Sequence, residues 1–144
     1  MSATLDANLL LFASDEASPF HEKARGFLDD VARGPAIVYV FWPVVMAYLR
    51  IATHASIFRS PLPPERAMAN VESLLALHHV QSPGEQDRFW PVFRDVAEPA
   101  SVRGNLVPDA HLVALMRQND VSTIYSHDRD FRRFDGLELI DPLD

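Results

Sequence analysis

Three aspartates that lie far apart in the chain have the residue type and the flanking sequence to act together on one metal ion. Their motifs are Leu5-Asp6-Ala7-Asn8, Pro108-Asp109-Ala110-His111 and Ser126-His127-Asp128-Arg129-Asp130. Carboxylates that are gathered in one crevice repel each other unless a hard cation such as Mg²⁺ or Mn²⁺ holds them. The motifs therefore indicate a shared cation site, provided that the fold brings them together.

The elements around these motifs predict an α/β fold. Apolar and β-branched runs predict strands at residues 3–5, 37–40, 79–81, 122–125 and 137–140. Helical spacing with start and stop signals predicts helices at residues 7–12, between Ser18-Pro19 and Gly34-Pro35, at 42–52, from Pro63-Pro64 to His78, at 85–96, at 106–117, and a short one at 128–134. Strands that alternate with helices imply a mostly parallel sheet.

A parallel sheet of this kind binds its ligands at the carboxyl ends of the strands. Asp6 follows the first strand, and Asp128 lies just beyond the strand that ends at Tyr125. Asp109 falls in the opening turn of the helix that begins near Leu106, where Pro108 fixes the chain direction. We therefore expect the three carboxylates to meet at one edge of the sheet.

Each aspartate also has an ordinary structural explanation. Asp6 and Asp128 are good N-cap candidates, each worth ~1 kcal/mol to a helix, and Asp109 is favoured by the helix macrodipole. Taken singly, each residue is better explained as a helix-terminal residue. Because Ser, Thr or Asn would cap as well, aspartate at all three crevice-facing positions favours the metal site.

The composition bounds the class of protein. A chain of 144 residues that is 48% hydrophobic and 23% charged predicts one compact domain spanning residues 1–144. The absence of cysteine excludes a disulfide scaffold, a thiolate zinc site and a thiol nucleophile. The apolar run at residues 37–49 contains Pro43 and is shorter than the ~20 residues of a membrane helix. No secretory signal is recognisable, so we expect a soluble, cytoplasmic protein.

The charge balance neither supports nor excludes a nucleic-acid partner. A formal net charge of −7 lacks the basic footprint of most phosphate-binding proteins. Lys23 is nevertheless the only lysine among 13 basic residues, and arginine pairs with phosphate in a planar fork. A genome rich in G and C would produce the same bias. An acidic enzyme can still bind RNA locally where a metal offsets its carboxylates.

The order and spacing of the motifs resemble those of PIN-domain ribonucleases, and most closely the VapC toxins of bacterial toxin–antitoxin pairs. The matching segments are residues 5–13, 42–54, 104–112 and 126–131, with Phe134, Gly136-Leu137 and the ending Ile140-Asp141-Pro142-Leu143. They cover nearly the whole chain. The resemblance implies a single PIN domain, a three-layer α/β/α architecture with about five strands.

The same resemblance implies a function, an endoribonuclease that depends on Mg²⁺ or Mn²⁺. On that analogy Asp6, Asp109 and Asp128 are catalytic residues and metal ligands, directly or through water. Asp130 is a secondary acid, and Asn8 and Ser126 orient the carboxylates by hydrogen bonds. The metal would polarise a phosphoryl oxygen and activate the water that attacks the phosphodiester.

One position departs from the family pattern. The family often has a glutamate one turn into the helix that begins near Trp42, and the matching residue here is Ala47. This gap leaves open a second metal position and an alternative function, a catalytically weak or inactive RNA- or protein-binding module. A third alternative, a receiver-like phospho-acceptor, would need a lysine at the sheet edge, and Lys23 is badly placed for that.

Partners also follow from the resemblance. It implies an RNA substrate and a small VapB-like antitoxin whose C-terminal segment lies over the acidic crevice and places a basic side chain there. It further implies a homodimer that buries apolar residues between Trp42 and Leu77.

Several other side chains are weaker candidates for a functional role. Either Arg50 or Arg129 could contact RNA phosphate, although a solvated surface role is equally favoured. His127 is expected to be a surface-loop histidine, and His111 a packed or capping residue. The helical spacing of Phe89, Trp90 and Phe93 favours a core or subunit-interface role over base stacking.

Overall fold

A five-stranded sheet in which every pairing is parallel forms the centre of the fold. The computed structural model describes residues 2–144. The strands are β1 (Ser2–Leu5), β2 (Ile37–Tyr39), β3 (Val80–Gln81), β4 (Thr123–Tyr125) and β5 (Glu138–Ile140). Their spatial order is β3-β2-β1-β4-β5, which puts β1 in the middle. The predicted α/β class with about five strands is confirmed.

Six α-helices flank the sheet and complete the predicted three-layer α/β/α architecture. They are α1 (Ala7–Ser14), α2 (His21–Arg33), α3 (Trp42–Ala52), α4 (Pro64–Leu75), α5 (Phe89–Ala97) and α6 (Leu106–Gln118). Helix α1 packs against α2 and α3, and α5 packs against α6. A short 3-10 helix, η1 (Arg129–Arg133), connects β4 to β5. Within residues 2–144 no helix is both long enough and apolar enough to cross a membrane.

Helix α5 begins later than its periodicity predicts. The expected helix starts at Glu85, but the structure starts it at Phe89, with Pro91 in the first turn. The preceding segment is held by α6 instead of by helical hydrogen bonds: the Gln86 backbone N–H donates to Gln118 Oε1 over 3.0 Å, and Gln118 Nε2 donates to the Gly84 carbonyl over 3.1 Å. These tertiary contacts satisfy the backbone, so the helical pattern is overridden.

Helix α6 runs through the core of the protein. Ala110 and every residue from Leu112 to Met116 are buried. A helix that is apolar nearly all round is a core helix instead of an amphipathic surface one. Because its packing fixes α6 in place, a side chain in its first turn has a rigid base.

Two of the three aspartates cap the elements that follow them, as the structural explanation predicts. Asp6 is the N-cap of α1, and its Oδ1 accepts a hydrogen bond from the Ala7 backbone N–H at 2.8 Å. Asp128 is the N-cap of η1, and its Oδ1 accepts from the Asp130 backbone N–H at 2.9 Å. Each cap uses only one of the two carboxylate oxygens. Capping is therefore compatible with a second role for the same side chain.

Candidate functional site

The carboxyl edge of the sheet brings the two capping aspartates together. Strands β1 and β4 are neighbours, with Leu5 opposite Tyr125, and the Asp6 backbone N–H donates to the Tyr125 carbonyl over 2.9 Å. Asp6 and the turn that carries Asp128 therefore leave the sheet side by side. Asp109 approaches the same place from the first turn of α6.

Three of the carboxylates are close enough to share one cation. One oxygen from each of Asp109, Asp128 and Asp130 lies within 4.8 Å of the others. Asp6 lies outside this triangle, although its charge acts on Asp109. The structure thus places Asp130, expected as a secondary acid, nearer to Asp109 and Asp128 than the sequence pattern alone indicates.

Ser126 links the parts of the crevice through one hydroxyl group. Ser126 is fully buried, and its Oγ donates to Asp6 Oδ2 over 3.0 Å. The same oxygen accepts hydrogen bonds from Asn8 Nδ2 at 3.2 Å and from the Asp128 backbone N–H at 3.0 Å. A hydroxyl offers one donor and two acceptor sites, so its capacity is filled. These are contacts of the kind expected for Asn8 and Ser126.

The side-chain oxygen of Asn8 has no protein partner. Asn8 Oδ1 is buried and accepts no hydrogen bond among the described residues. Leaving a buried polar atom unsatisfied costs about 1–3 kcal/mol, so such atoms often mark the position of an absent water or ion. The same amide group donates through Nδ2 to Ser126 Oγ, which in turn donates to Asp6 Oδ2, so this oxygen belongs to the hydrogen-bonded group that holds Asp6.

Burial and neighbouring charges raise the pKa of two of the aspartates. The pKa of Asp109 is raised to about 7, first because the side chain is desolvated and then because Asp6, Asp128 and Asp130 repel its negative charge. Burial also raises the pKa of Asp6, against the opposing hydrogen bonds from Ala7 N–H and the Ser126 hydroxyl. The crevice therefore favours any positive charge that neutralises it, whether a proton or a cation.

The donor set indicates which cation fits. The triangle offers carboxylate oxygens, and neither a cysteine nor a histidine belongs to the cluster. Oxygen-only sites suit Mg²⁺, Mn²⁺ or Ca²⁺ in preference to softer ions such as Zn²⁺ or Cu²⁺. The residues present therefore fit a hard divalent cation.

The remaining sequence candidates lie outside this cluster. Ala47 is half-buried in α3 and supplies no acid. Arg50 and Arg129 are exposed, and neither forms an ion pair within the part of the chain that the structure describes. Trp90 is 65% exposed and stacks on Phe93, so it is not a core residue.

Two histidines have partners that the motifs did not predict. His111 contacts Glu85 Oε1 at 2.7 Å and packs edge-on against Phe89, which confirms its expected packing role. His127 is not a free loop residue, because its Nδ1 donates to Asp141 Oδ2 over 2.7 Å. The parallel register could have revealed this pair, since His127 and Asp141 each follow the ends of neighbouring strands.

Comparisons with known proteins agree with this architecture. The family model described as PIN domain matches residues 3–137. Ribonuclease VapC48 from Mycobacterium tuberculosis is 51% identical over 143 residues, which cover 99% of this chain and 99% of that protein.

Solved structures share the fold at low sequence identity. VapBC-1 from nontypeable Haemophilus influenzae has a TM-score of 0.69 at 14% identity and covers 100% of both chains. The M. tuberculosis toxin VapC20, described as cleaving the sarcin-ricin loop, has a TM-score of 0.66 at 17% identity over 90% of this chain and 92% of that one.

Proposed function

We infer that this chain, which belongs to the PIN-domain family and within it to the VapC-type ribonucleases, is the endoribonuclease toxin of a toxin–antitoxin pair that hydrolyses RNA at its acidic crevice. The observation that carries this proposal is geometric: one oxygen from each of Asp109, Asp128 and Asp130 lies within 4.8 Å of the others. The pKa of Asp109, raised to about 7 first by burial and then by the neighbouring carboxylates, agrees with it, because perturbed carboxyl groups cluster at functional sites. The match over residues 3–137 supports treating residues 1–144 as one PIN domain.

We propose Mg²⁺ or Mn²⁺ as the cofactor, held by Asp6, Asp109 and Asp128 directly or through water. Each capping aspartate keeps acceptor capacity after its backbone hydrogen bond, because a carboxylate has about four lone-pair sites. Asp130 adds negative charge from within the triangle. When bound, the cation supplies Lewis-acid stabilisation of charge on the phosphoryl oxygens.

The chain's own residues hold these ligands in place. Ser126 fixes Asp6 Oδ2 and the Asp128 backbone through its single hydroxyl, and Asn8 fixes Ser126. The buried helix α6 sets the position of Asp109. In the reaction water adds to phosphorus and the phosphodiester P–O bond breaks, with the departing oxygen gaining a proton. Ligands that are already oriented lower the reorganisation that this step requires.

RNA would approach an acidic protein through its exposed arginines. Arg129, Arg132 and Arg133 are exposed on η1, immediately after the capping residue Asp128. They offer bidentate contacts to phosphate beside the crevice. This short cationic segment supports local RNA binding in spite of the net charge of −7.

A second copy of the chain is the proposed partner of an exposed apolar face on α3 and its surroundings. Trp42 and Met46, four residues apart and so on one face of α3, are 40% and 56% exposed, and Ile57 and Met68 are exposed on the segments that follow α3. Exposed apolar side chains on one face of a helix favour an association surface. We expect a homodimer on gel filtration, and Met46→Asp should shift it to the monomer, whereas Arg59→Asp, at another exposed position, should not.

A small VapB-like antitoxin is the proposed inhibitor. Its basic side chain would enter the crevice and neutralise the same carboxylates that a cation does. A groove of about 1010 Å³ between helices α1, α2, α3 and α4 could hold a further antitoxin segment. Its lining combines apolar side chains with polar ones, among which Ser14 and Asn70 contact the Tyr48 hydroxyl at 2.7 Å and 3.0 Å.

The decisive experiment is cleavage of RNA by protein that has been stripped of divalent ions. We expect cleavage only after Mg²⁺ or Mn²⁺ is restored. Asp6→Asn, Asp109→Asn and Asp128→Asn should each cleave RNA at least ~100-fold more slowly, which is a larger loss than removal of a group that only orients a ligand produces. The cleavage rate of Asp130→Asn should be about 10-fold lower than that of the wild-type protein. Asp95→Asn, a matched exposed control on α5, should cleave normally.

Two results would count against the proposal. Equal cleavage by Asp109→Asn and the wild-type protein would contradict the assignment of Asp109 to the catalytic metal site. RNA binding without cleavage under either ion would favour the alternative, a catalytically inactive binding module, for which Ala47 in place of an acid is the supporting observation.

A further inference from the structure

The side chain of His127 is fixed on three sides although it belongs to the turn that carries two site residues. Its Nδ1 donates to Asp141 Oδ2 over 2.7 Å. Its ring packs against Phe20 at a centroid distance of 4.6 Å and edge-on against Phe12 at 5.8 Å. Phe12 and Phe20 also contact each other, at 5.1 Å. An imidazole held in this way has little freedom to change rotamer.

The acceptor of this hydrogen bond is itself fixed by the C-terminal residues. Asp141 Oδ1 accepts from the Leu143 backbone N–H at 2.9 Å, and Leu143 is buried. The Leu143 carbonyl accepts from Lys23 Nζ at 3.2 Å, which connects the segment to α2. The carboxylate of Asp141 therefore presents a rigid anchor to His127.

His127 lies in the chain between two residues of the acidic crevice. Ser126 precedes it and Asp128 follows it, and the Asp128 backbone N–H donates to Ser126 Oγ across this one residue. The Ser126 backbone N–H donates to the Ile140 carbonyl over 3.1 Å. The turn after β4 is thus attached on one side to Asp6 and Asn8, and on the other to the segment after β5.

We propose that His127 is a positioning residue which, through its hydrogen bond to Asp141, fixes the Ser126–Asp128 turn and so the direction of the Asp128 carboxylate. This inference rests on the proposed function, because it deepens the description of the same crevice. The anchoring of a ligand by a neighbouring hydrogen-bonded group is worth about 10- to 100-fold in metal affinity at characterised sites. The C-terminal segment is accordingly part of the site's support, although it supplies no ligand.

A metal-free measurement tests the positioning directly. The amide hydrogens of Asp128 and Asp130 are hydrogen-bonded within the turn, to Ser126 Oγ and Asp128 Oδ1. Their exchange with solvent, followed by NMR, should be about 10-fold faster in His127→Ala and Asp141→Ala. The amide of Val38, bonded to the His79 carbonyl in the sheet, reports global opening and should not change.

Two further variants separate positioning from general packing. His127→Asn keeps a hydrogen-bond donor near the position of Nδ1. The amide hydrogens of Asp128 and Asp130 should therefore exchange more slowly in this variant than in His127→Ala, and the comparison still decides the role of the side chain if the alanine variant is less stable. Glu85→Ala removes the contact between Glu85 and His111 of α6, also 2.7 Å long, which has no hydrogen bond to the turn and should leave both turn amides unchanged.

A binding measurement then relates the turn to the site. Calorimetric titration with Mn²⁺ should give about 10-fold weaker binding for His127→Ala and for Asp141→Ala, and no further loss for the double variant, since the two residues act as one unit. Unchanged turn-amide exchange in both single variants would overturn the proposal. If the wild-type protein binds no Mn²⁺, the proposed cofactor fails, and the exchange result still decides the role of His127.

Discussion

Ser126 donates its hydroxyl hydrogen bond to Asp6 Oδ2 over 3.0 Å, which joins residues 120 positions apart in the chain. The contact exists because β4 lies directly beside β1 in the sheet. One small buried side chain therefore carries the connection between the first and the last acidic motif.

Removal of the Ser126 hydroxyl should destabilise the protein. In Ser126→Ala the partly buried groups Asn8 Nδ2 and the Asp128 N–H lose their acceptor and Asp6 loses a donor. The expected loss in unfolding free energy is about 1–3 kcal/mol. Urea unfolding measures it, with Ser122→Ala, an exposed serine, as the control. A stability equal to that of the control would show that the hydroxyl is not structurally important.

Neutralising Asp109 should stabilise the metal-free protein above pH 7. The carboxyl binds its proton more tightly in the folded state, where its pKa is about 7 against the ordinary aspartate value of 3.8. Between these values the folded state holds more protons than the unfolded state, so the contribution of Asp109 to stability falls as the pH rises towards 7. With allowance for solvent screening of this partly buried group, the unfolding free energy of Asp109→Asn at pH 8 should exceed that of the wild-type protein by about 1–2 kcal/mol.

The test compares unfolding free energies at pH 4 and pH 8 in the presence of EDTA. The gain from Asp109→Asn should be present at pH 8 and largely absent at pH 4. Asp87→Asn makes the same charge change at an exposed position and should show no such pH-dependent gain. An equal effect of Asp109→Asn at both pH values would contradict the raised pKa.

Divalent-ion affinity should rise with pH and then level off near pH 7. Below that value a cation must displace the proton of Asp109, so Mn²⁺ affinity should increase about 10-fold for each pH unit if one proton is released. Calorimetry between pH 5.5 and 8 measures this slope. In Asp109→Asn the proton release should disappear, whereas a slope that persists unchanged would assign the proton to another group.

An acid introduced at position 47 should strengthen cation binding. Helix α3 follows β2, which is the parallel neighbour of β1, so the first turns of α3 begin at the same edge of the sheet as Asp6. We expect Ala47→Glu to raise Mg²⁺ affinity several-fold, because it adds a carboxylate near the crevice. Ala36→Glu, the same substitution at an exposed position before the amino end of β2, is the matched control. Identical affinities for the two variants would exclude a ligand role for position 47.

The sequence predicted the position of each acidic motif better than the contacts within the crevice. Asp6 and Asp128 were placed correctly because parallel strands put their carboxyl ends at one edge, and Pro108 indicated the start of α6. The inclusion of Asp130 in the close triangle depends on the tight turn of η1, which periodicity cannot resolve. The late start of α5 likewise depends on Gln118, a residue 32 positions away from the backbone group that it binds.

The dependence of the crevice on β4 and β5 has a consequence during synthesis of the chain. Asp6 is synthesised well before its hydrogen-bond donor Ser126 and the anchor Asp141. A nascent chain that does not yet contain β4 and β5 therefore lacks the assembled crevice, which we propose as the site of RNA cleavage.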